Sequence, residues 1–243
     1  MISILTTTYN RVNFLYRVYK SLADQSYKDW EWIVINDGSS DETNLYLNSL
    51  KDPRIKLYSL EHLGRVKAIA IATEMANRPW IGILDDDDWL DPECLENCLL
   101  FAESNQADFI YTNCWEVNKN EIKLGKRSLI PYSFNGMLLD LITFHFRFFK
   151  NSKLIEAGGI DTQYQTAFDY DLCLRLTEVC KVAHLKKALY FYQIHSDSIS
   201  YSKRADQIYW SFKAVQNAIK RRGLENQLVI DLEARFKLYE KVS

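Results

Sequence analysis

Four carboxylates in a row, Asp85 to Asp88, follow without a break on the apolar run Trp80-Ile81-Gly82-Ile83-Leu84. Adjacent like charges repel, and burying a charge without a partner is costly. The run therefore belongs at the end of a strand, with its acids facing water or something positive. Two readings fit the residues. One is a solvated acidic turn leading into a helix capped at Asp91. The other is a site for a hard divalent cation, whose preferred ligands are carboxylate oxygens and which commonly bridges to substrate phosphates. The position directly after an apolar strand favours the second.

The chain before and after this run alternates short β-rich stretches with helical periodicity, the pattern of parallel strands joined by crossover helices. Strands are expected at 2–6, 30–35, 55–59, 80–84 and 108–111. Leu15, Val18, Tyr19 and Leu22 recur at helical spacing between the first two, and Val66, Ile69, Ala70 and Thr73 do so before the fourth. Asp91-Pro92-Glu93 reads as an N-cap, a proline at the first helical position and an acid in the first turn. A doubly wound sheet places ligands at the carboxyl ends of its strands, so four loops matter most: 7–11, 36–41, 61–64 and 85–88. Beyond residue 113 the periodicity is mixed, with a helix expected from near Asp169 through Leu172, Leu176 and Val179. Two amphipathic stripes follow, Ile208, Phe212, Val215, Ile219 and then Leu228, Leu232, Phe236, Tyr239, which read as two C-terminal helices.

Composition narrows the classes. A hydrophobic fraction of 47% and an aromatic fraction of 14% supply a sizeable core without disulfides. A formal charge of -2 gives nucleic acid no electrostatic support as the main partner. The start lacks the charged and apolar regions of a signal peptide, and no apolar run approaches a membrane span, so a cytoplasmic protein is expected. The five cysteines, Cys94, Cys98, Cys114, Cys173 and Cys180, form no CxxC pair and are expected as reduced thiols.

The segment Asn36-Asp37-Gly38-Ser39-Ser40-Asp41 has tight-turn composition, and Gly38 permits positive φ. It is a turn and helix cap, or a place where a short acid accepts hydrogen bonds from a base or ribose. Taken with Thr7-Thr8-Tyr9-Asn10-Arg11, the Asp85 to Asp88 run, Gly158-Gly159-Ile160-Asp161 and Asp169-Tyr170-Asp171-Leu172-Cys173-Leu174-Arg175, it stands in the order and rough spacing of family 2 glycosyltransferases. The resemblance covers roughly residues 1 to 200.

What the resemblance implies is an α/β GT-A (Rossmann-like) fold with a mostly parallel central sheet and C-terminal helices. The implied divisions are a glycosyltransferase domain at 1–202, with a nucleotide-sugar half at 1–112 and an acceptor and catalytic half at 113–202, and a helical extension at 203–243. Thr7, Tyr9 and Asp37 would bind the nucleotide of a nucleoside-diphosphate sugar, a UDP-sugar first. Asp85 and Asp86 would lean toward the ribose, Asp87 would ligate Mn²⁺ or Mg²⁺, and Asp88 would support the turn. Arg65 and Lys67 resemble a segment that approaches the base and diphosphate. Ile69-Ala70 stands where the family has Arg-Asn, so a surface or salt-bridge role for the two cations stays open. Asp169 would be the general base of an inverting transfer, although Phe168 stands where the family has Glu. His195 resembles a histidine that reaches the metal or diphosphate, whereas His62, His145 and His184 carry no motif and are expected to be structural or exposed.

A glycan or lipid-linked acceptor of bacterial surface-polysaccharide or lipooligosaccharide assembly is the implied partner, with no nucleic acid. The basic tail residues Lys203, Arg204, Lys213, Lys220, Arg221, Arg222, Arg235, Lys237 and Lys241 admit peripheral association with the inner membrane face. A packed helical pair with a solvated face is the reading slightly favoured over it. Two rivals remain. One is a sugar-nucleotide-binding protein that has lost turnover. The other is a nucleotidyltransferase, which would want a glycine-rich phosphate loop that residues 6–11 lack.

Overall fold

The computed structural model describes residues 1–118, 120–127, 130–195 and 204–231. Strand β1 (Ile2–Thr8) shows how the sheet is built: Leu5 packs into one core, while Ile2 and Ile4 pack into another on the opposite face. That is the period-2 alternation of a strand covered on both sides. The remaining strands are β2 (Trp30–Asn36), β3 (Ile55–Ser59), β4 (Trp80–Ile83), β5 (Trp89–Leu90), β6 (Phe109–Val117), β7 (Lys123–Arg127), β8 (Arg147–Lys150) and β9 (Val182–Gln193).

Among the described residues they form one sheet in the order β3-β2-β1-β4-β8-β6-β9-β5, with β7 paired to β6. Strands β1 to β4, β6 and β9 run one way, and β5, β7 and β8 run the other. The mostly parallel α/β sheet expected from the sequence is present.

Helices α1 (Val12–Ala23) and α4 (Cys94–Asn105) cover one face, with Leu15, Val18, Leu22, Leu95 and Cys98 in its core. Helices α3 (Arg65–Met75) and α6 (Phe168–Val179) cover the other. Short helices α2 (Thr43–Ser49) and α5 (Asn151–Glu156) complete the connections. Each fully buried Leu or Ile in these cores contributes about 1.5–3 kcal/mol. Gly82 lets β4 lie against β8, since a Cβ there would come within 2.3 Å of the Phe146 ring.

The first C-terminal stripe forms α7 (Arg204–Arg221), whose Ala214, Val215, Ala218 and Ile219 enter the same core as α6. Ile208, at the start of that stripe, is instead exposed. The second stripe does not begin as a helix: Leu228 lies in irregular chain after Gly223, and Leu232, Phe236 and Tyr239 lie outside the described residues. One boundary also differs from expectation. Asp91 Oδ1 accepts the Glu93 N–H at 3.1 Å in a turn, and α4 starts at Cys94, so Pro92 precedes the helix. Strand β5, inserted after the aspartate run, uses the residues that would have led straight into the cap. The cysteines are free and, Cys180 apart, buried.

Candidate active site

The carboxyl ends of β1 to β4 open on a cleft of about 770 Å³, within the size range of small-ligand sites. Its lining includes Thr7, Tyr9, Asp37, Arg65, Lys67, Asp85, Asp86, Asp87 and Asp169. His195 is not among the lining residues and reaches Asp87, which is, at 2.9 Å.

Asp37 directly follows β2, with its side chain 3% exposed. Its Oδ1 accepts the Leu63 N–H at 2.7 Å and its Oδ2 the Gly64 N–H at 3.0 Å, so this acid holds the loop 61–64 in place. Gly38, at φ 77°, lets that loop close over the turn, because a Cβ there would lie 2.7 Å from the His62 nitrogen. His62 Nδ1 sits 2.9 Å from the Asp37 carbonyl oxygen, and its ring stacks on Tyr9 at 4.1 Å. The face offered to a planar ligand here is Tyr9, 43% exposed, backed by His62. His62 is thus part of the cleft, which its sequence context did not indicate.

The four aspartates have unequal surroundings. Thr6 Oγ1 donates to the Leu84 carbonyl at 2.8 Å and accepts from Trp32 Nε1 at 2.9 Å, which fixes the end of β4 just before them. Asp85 takes an ion pair from Arg65 at 2.7 Å. Asp87 Oδ2 lies 2.9 Å from His195 Nε2, and the His195 ring stacks on Phe14. Asp88 turns inward, accepting the Tyr190 hydroxyl at 2.7 Å and the Gln193 N–H at 2.8 Å. Burial, then the charges of Asp87 and Asp85, push the Asp88 carboxyl well above its ordinary range. Asp86 is pushed up to about 7 by burial and then by the charge of Asp87.

The acidic loop is therefore short of positive charge. Its oxygen donors on Asp85, Asp86 and Asp87 fit a hard divalent cation, which would relieve that repulsion. The grouping of Asp85, Asp88 and His145, with ligand atoms within 4.8 Å of one another, fits one less well. Both Asp88 oxygens are already bonded, and the Arg147 guanidinium abuts His145.

Across the cleft, Asp169 lies in the first turn of α6, 27% exposed. Arg147 Nη1 donates to its Oδ2 at 2.9 Å, and the Tyr170 N–H donates to its Oδ1 at 3.0 Å. Burial acts to raise the Asp169 pKa, but the charge and hydrogen bond of Arg147, with Arg65 beyond, outweigh it and hold the carboxyl below the usual range. Arg147 is placed by β8, which runs antiparallel to β4 with Arg147 opposite Ile83. His145 is buried, and desolvation followed by the nearby Arg147 charge keeps its pKa well below the ordinary value, so it is neutral. Phe168 is buried, with the Arg65 guanidinium 5.6 Å over its ring. Lys67 is exposed in the lining and makes no ion pair among the described residues.

His145 and Arg147 were not singled out by their sequence context. The available signal was their spacing: in Phe144-His145-Phe146-Arg147-Phe148 the two polar residues alternate with rings and share one face of an extended segment.

Comparison with known proteins agrees with this architecture. Residues 3–160 match the family model for Glycosyl transferase family 2. The chain is 31% identical to the hyaluronan synthase of Pasteurella multocida over 228 residues, 92% of this chain but 24% of that protein. It is 26% identical to the UDP-Glc:alpha-D-GlcNAc-diphosphoundecaprenol beta-1,3-glucosyltransferase WfaP of Escherichia coli, over 93% of this chain and 88% of that one. The crystal structure of S. aureus TarS residues 1-349 in complex with UDP superposes with a TM-score of 0.71 at 19% identity, covering 90% of this chain and 65% of that one. At that identity the likeness speaks for the fold, and the expected GT-A arrangement is borne out.

Proposed function

Since this chain belongs to glycosyltransferase family 2, we propose that it moves a sugar from a nucleoside-diphosphate sugar, a UDP-sugar first, to a hydroxyl of a glycan or lipid-linked acceptor, with inversion at the anomeric carbon. The observation that carries the reading is the pairing in one cleft of a cation-poor acidic loop, Asp85 to Asp87, with a separately ionised carboxylate, Asp169. Tyr9 and His62 offer a stacking face for the base, and Asp37 shapes the loop beside it. Arg65 and Lys67 supply positive charge on the donor side. Asp169 takes the proton of the acceptor hydroxyl as its oxygen bonds to the anomeric carbon. The bond from that carbon to the diphosphate breaks, and its electron pair leaves with the nucleoside diphosphate. Asp87 and His195, with Asp85 or Asp86, would hold Mn²⁺ or Mg²⁺, which supplies charge neutralisation to the leaving diphosphate.

TarS bound to UDP supports the donor class, and WfaP, named for a diphosphoundecaprenol substrate, supports a lipid-linked acceptor. The chain spans about a quarter of the hyaluronan synthase, so a polymerising activity is not carried over. No helix among the described residues is long and apolar enough to cross a membrane. Cytoplasmic placement against the inner membrane face rests on the lipid-linked relative and on Lys213 and Lys220 of α7, since Arg221 is paired with Glu178. Liposome flotation that leaves the protein wholly in solution counts against it.

The deciding experiment is release of nucleoside diphosphate from UDP-sugars, expected to need both Mn²⁺ or Mg²⁺ and an acceptor. Donor binding detected by thermal shift, with no release under any of these conditions, would instead identify a donor-binding protein without turnover.

A further inference from the structure

Arg147 is unusual among the cations of the cleft. Arg65 is 40% exposed, whereas the Arg147 side chain is 3% exposed at the start of a central strand. Withdrawing a guanidinium from water costs several kcal/mol unless its donors are met. Those of Arg147 are incompletely met: Nη1 reaches Asp169 at 2.9 Å, Nη2 reaches His145 Nδ1 at 3.3 Å, and Nε has no partner among the described residues. A purely architectural ion pair has no need to aim such a group into a ligand cleft.

The surroundings of Arg147 are rigid. His145 is neutral, so its Nδ1 accepts from the guanidinium, and its ring stacks on Tyr190 at 4.5 Å and 5°. The Tyr190 hydroxyl in turn bonds Asp88 of the acidic loop at 2.7 Å. A packed path of Asp88, Tyr190, His145 and Arg147 therefore ends at Asp169. The Tyr170 N–H holds the other Asp169 oxygen, so each oxygen has one fixed contact and keeps a lone pair.

We propose that Arg147 is a positioning residue for Asp169, aiming its carboxylate into the cleft through a guanidinium bridged between Asp169 and His145. The proposal rests on Asp169 as the base of the transfer. A planar guanidinium makes both contacts at once, and the ammonium of a lysine is a single point charge that does not reproduce the fork. The other groups facing Asp169 are Arg65 from α3, neutral His145, and the Cys173 thiol on α6, which burial pushes up to about 11 and so leaves uncharged. Arg147 and Arg65 are then the cations that set its charge state, Arg147 in direct contact.

The test uses carboxyl carbon NMR titration of the full chain labelled at aspartate, with Asp169→Asn supplying the assignment, alongside turnover of a UDP-sugar. In the wild type Asp169 titrates below its ordinary value. In Arg147→Gln it moves up by about one to three pH units, the effect of removing an opposite charge at contact. In Arg147→Lys, the variant expected to melt near the wild type, the titration stays low, while kcat falls about tenfold and donor KM holds.

An unchanged Asp169 titration in Arg147→Gln overturns the proposal. So does wild-type kcat in Arg147→Lys when Asp169→Asn is inactive, an outcome that leaves the base assignment standing. Full activity of Asp169→Asn removes the base assignment, and the titration then decides by itself whether Arg147 controls that carboxylate.

Discussion

Two sets of carboxylates face each other across the cleft, and the protein treats them in opposite ways. The loop after β4 crowds Asp85 to Asp88 together beside Arg65 and His195, and burial, followed by the charges of neighbouring aspartates, pushes Asp86 up to about 7 and Asp88 well above its usual value. At the start of α6 a single carboxylate, Asp169, is set against a buried arginine and held low. The first arrangement is built to receive positive charge. The second is complete as it stands, ionised and oriented before any ligand arrives. Burial acts to raise both and is the first cause at Asp86, with the Asp87 charge adding to it; at Asp169 the charge and hydrogen bond of Arg147 outweigh it, so the contacting cation makes the difference.

The largest expected effect breaks the pair from the catalytic side. Asp169→Asn keeps the shape and the Tyr170 contact but removes the proton acceptor, so turnover should fall by about 10²–10⁴. Thermal-shift binding of UDP with Mn²⁺ should be unchanged. Loss of donor binding together with turnover would mean that the two sides are not separate functions.

From the other side, Asp87→Asn should lower transfer about a hundredfold or more and remove the Mn²⁺ dependence of UDP binding. Asp169 should titrate as in the wild type. Near-normal turnover in this variant removes the metal assignment from Asp87.

The acidic run and the start of α6 were legible from the pattern, one following an apolar strand and the other opening a helix, whereas the separate roles expected of Asp87 and Asp169 came from the family resemblance. Asp37 was singled out by the tight-turn segment at a strand end, and its carboxylate also holds the backbone of Leu63 and Gly64. Local pattern could not separate Asp88 from its neighbours by burial, because what turns it inward is β9, about a hundred residues away, through Tyr190 and Gln193. Arg147 escaped for a related reason. Its role depends on β8 entering antiparallel between β4 and β6, and nothing in an aromatic run states which strands will flank it.

The contrast also has a signature in stability. Asp86 has a raised folded pKa, so its protonated form favours the folded state below the unfolded value near 3.8, and that contribution is lost as pH rises through about 7. Asp169 has a lowered folded pKa, so its contribution is present above 3.8 and is lost as pH falls through the folded value. Melting of the metal-free protein should therefore decline between about pH 4 and 7, and Asp86→Asn should flatten that decline. Millimolar Mn²⁺ at pH 8 should recover the loss. A metal-free profile that rises across this window would contradict the picture of a cation-poor loop.

The smallest expected effect concerns Lys67. Arg65 already answers Asp85, so removing it disturbs the acidic loop as well as any phosphate contact. Lys67 lines the same cleft without an ion pair among the described residues, so its charge is available to an incoming diphosphate. An exposed contact of this kind is worth about 0.2–1 kcal/mol. Lys67→Ala should accordingly raise donor KM by about fivefold at most, leave kcat and melting temperature unchanged, and lose its effect in high salt. A fall in kcat with KM unchanged would move Lys67 from the binding of the donor to the reaction itself, and the donor side of the cleft would then share work that the structure otherwise concentrates on Asp169.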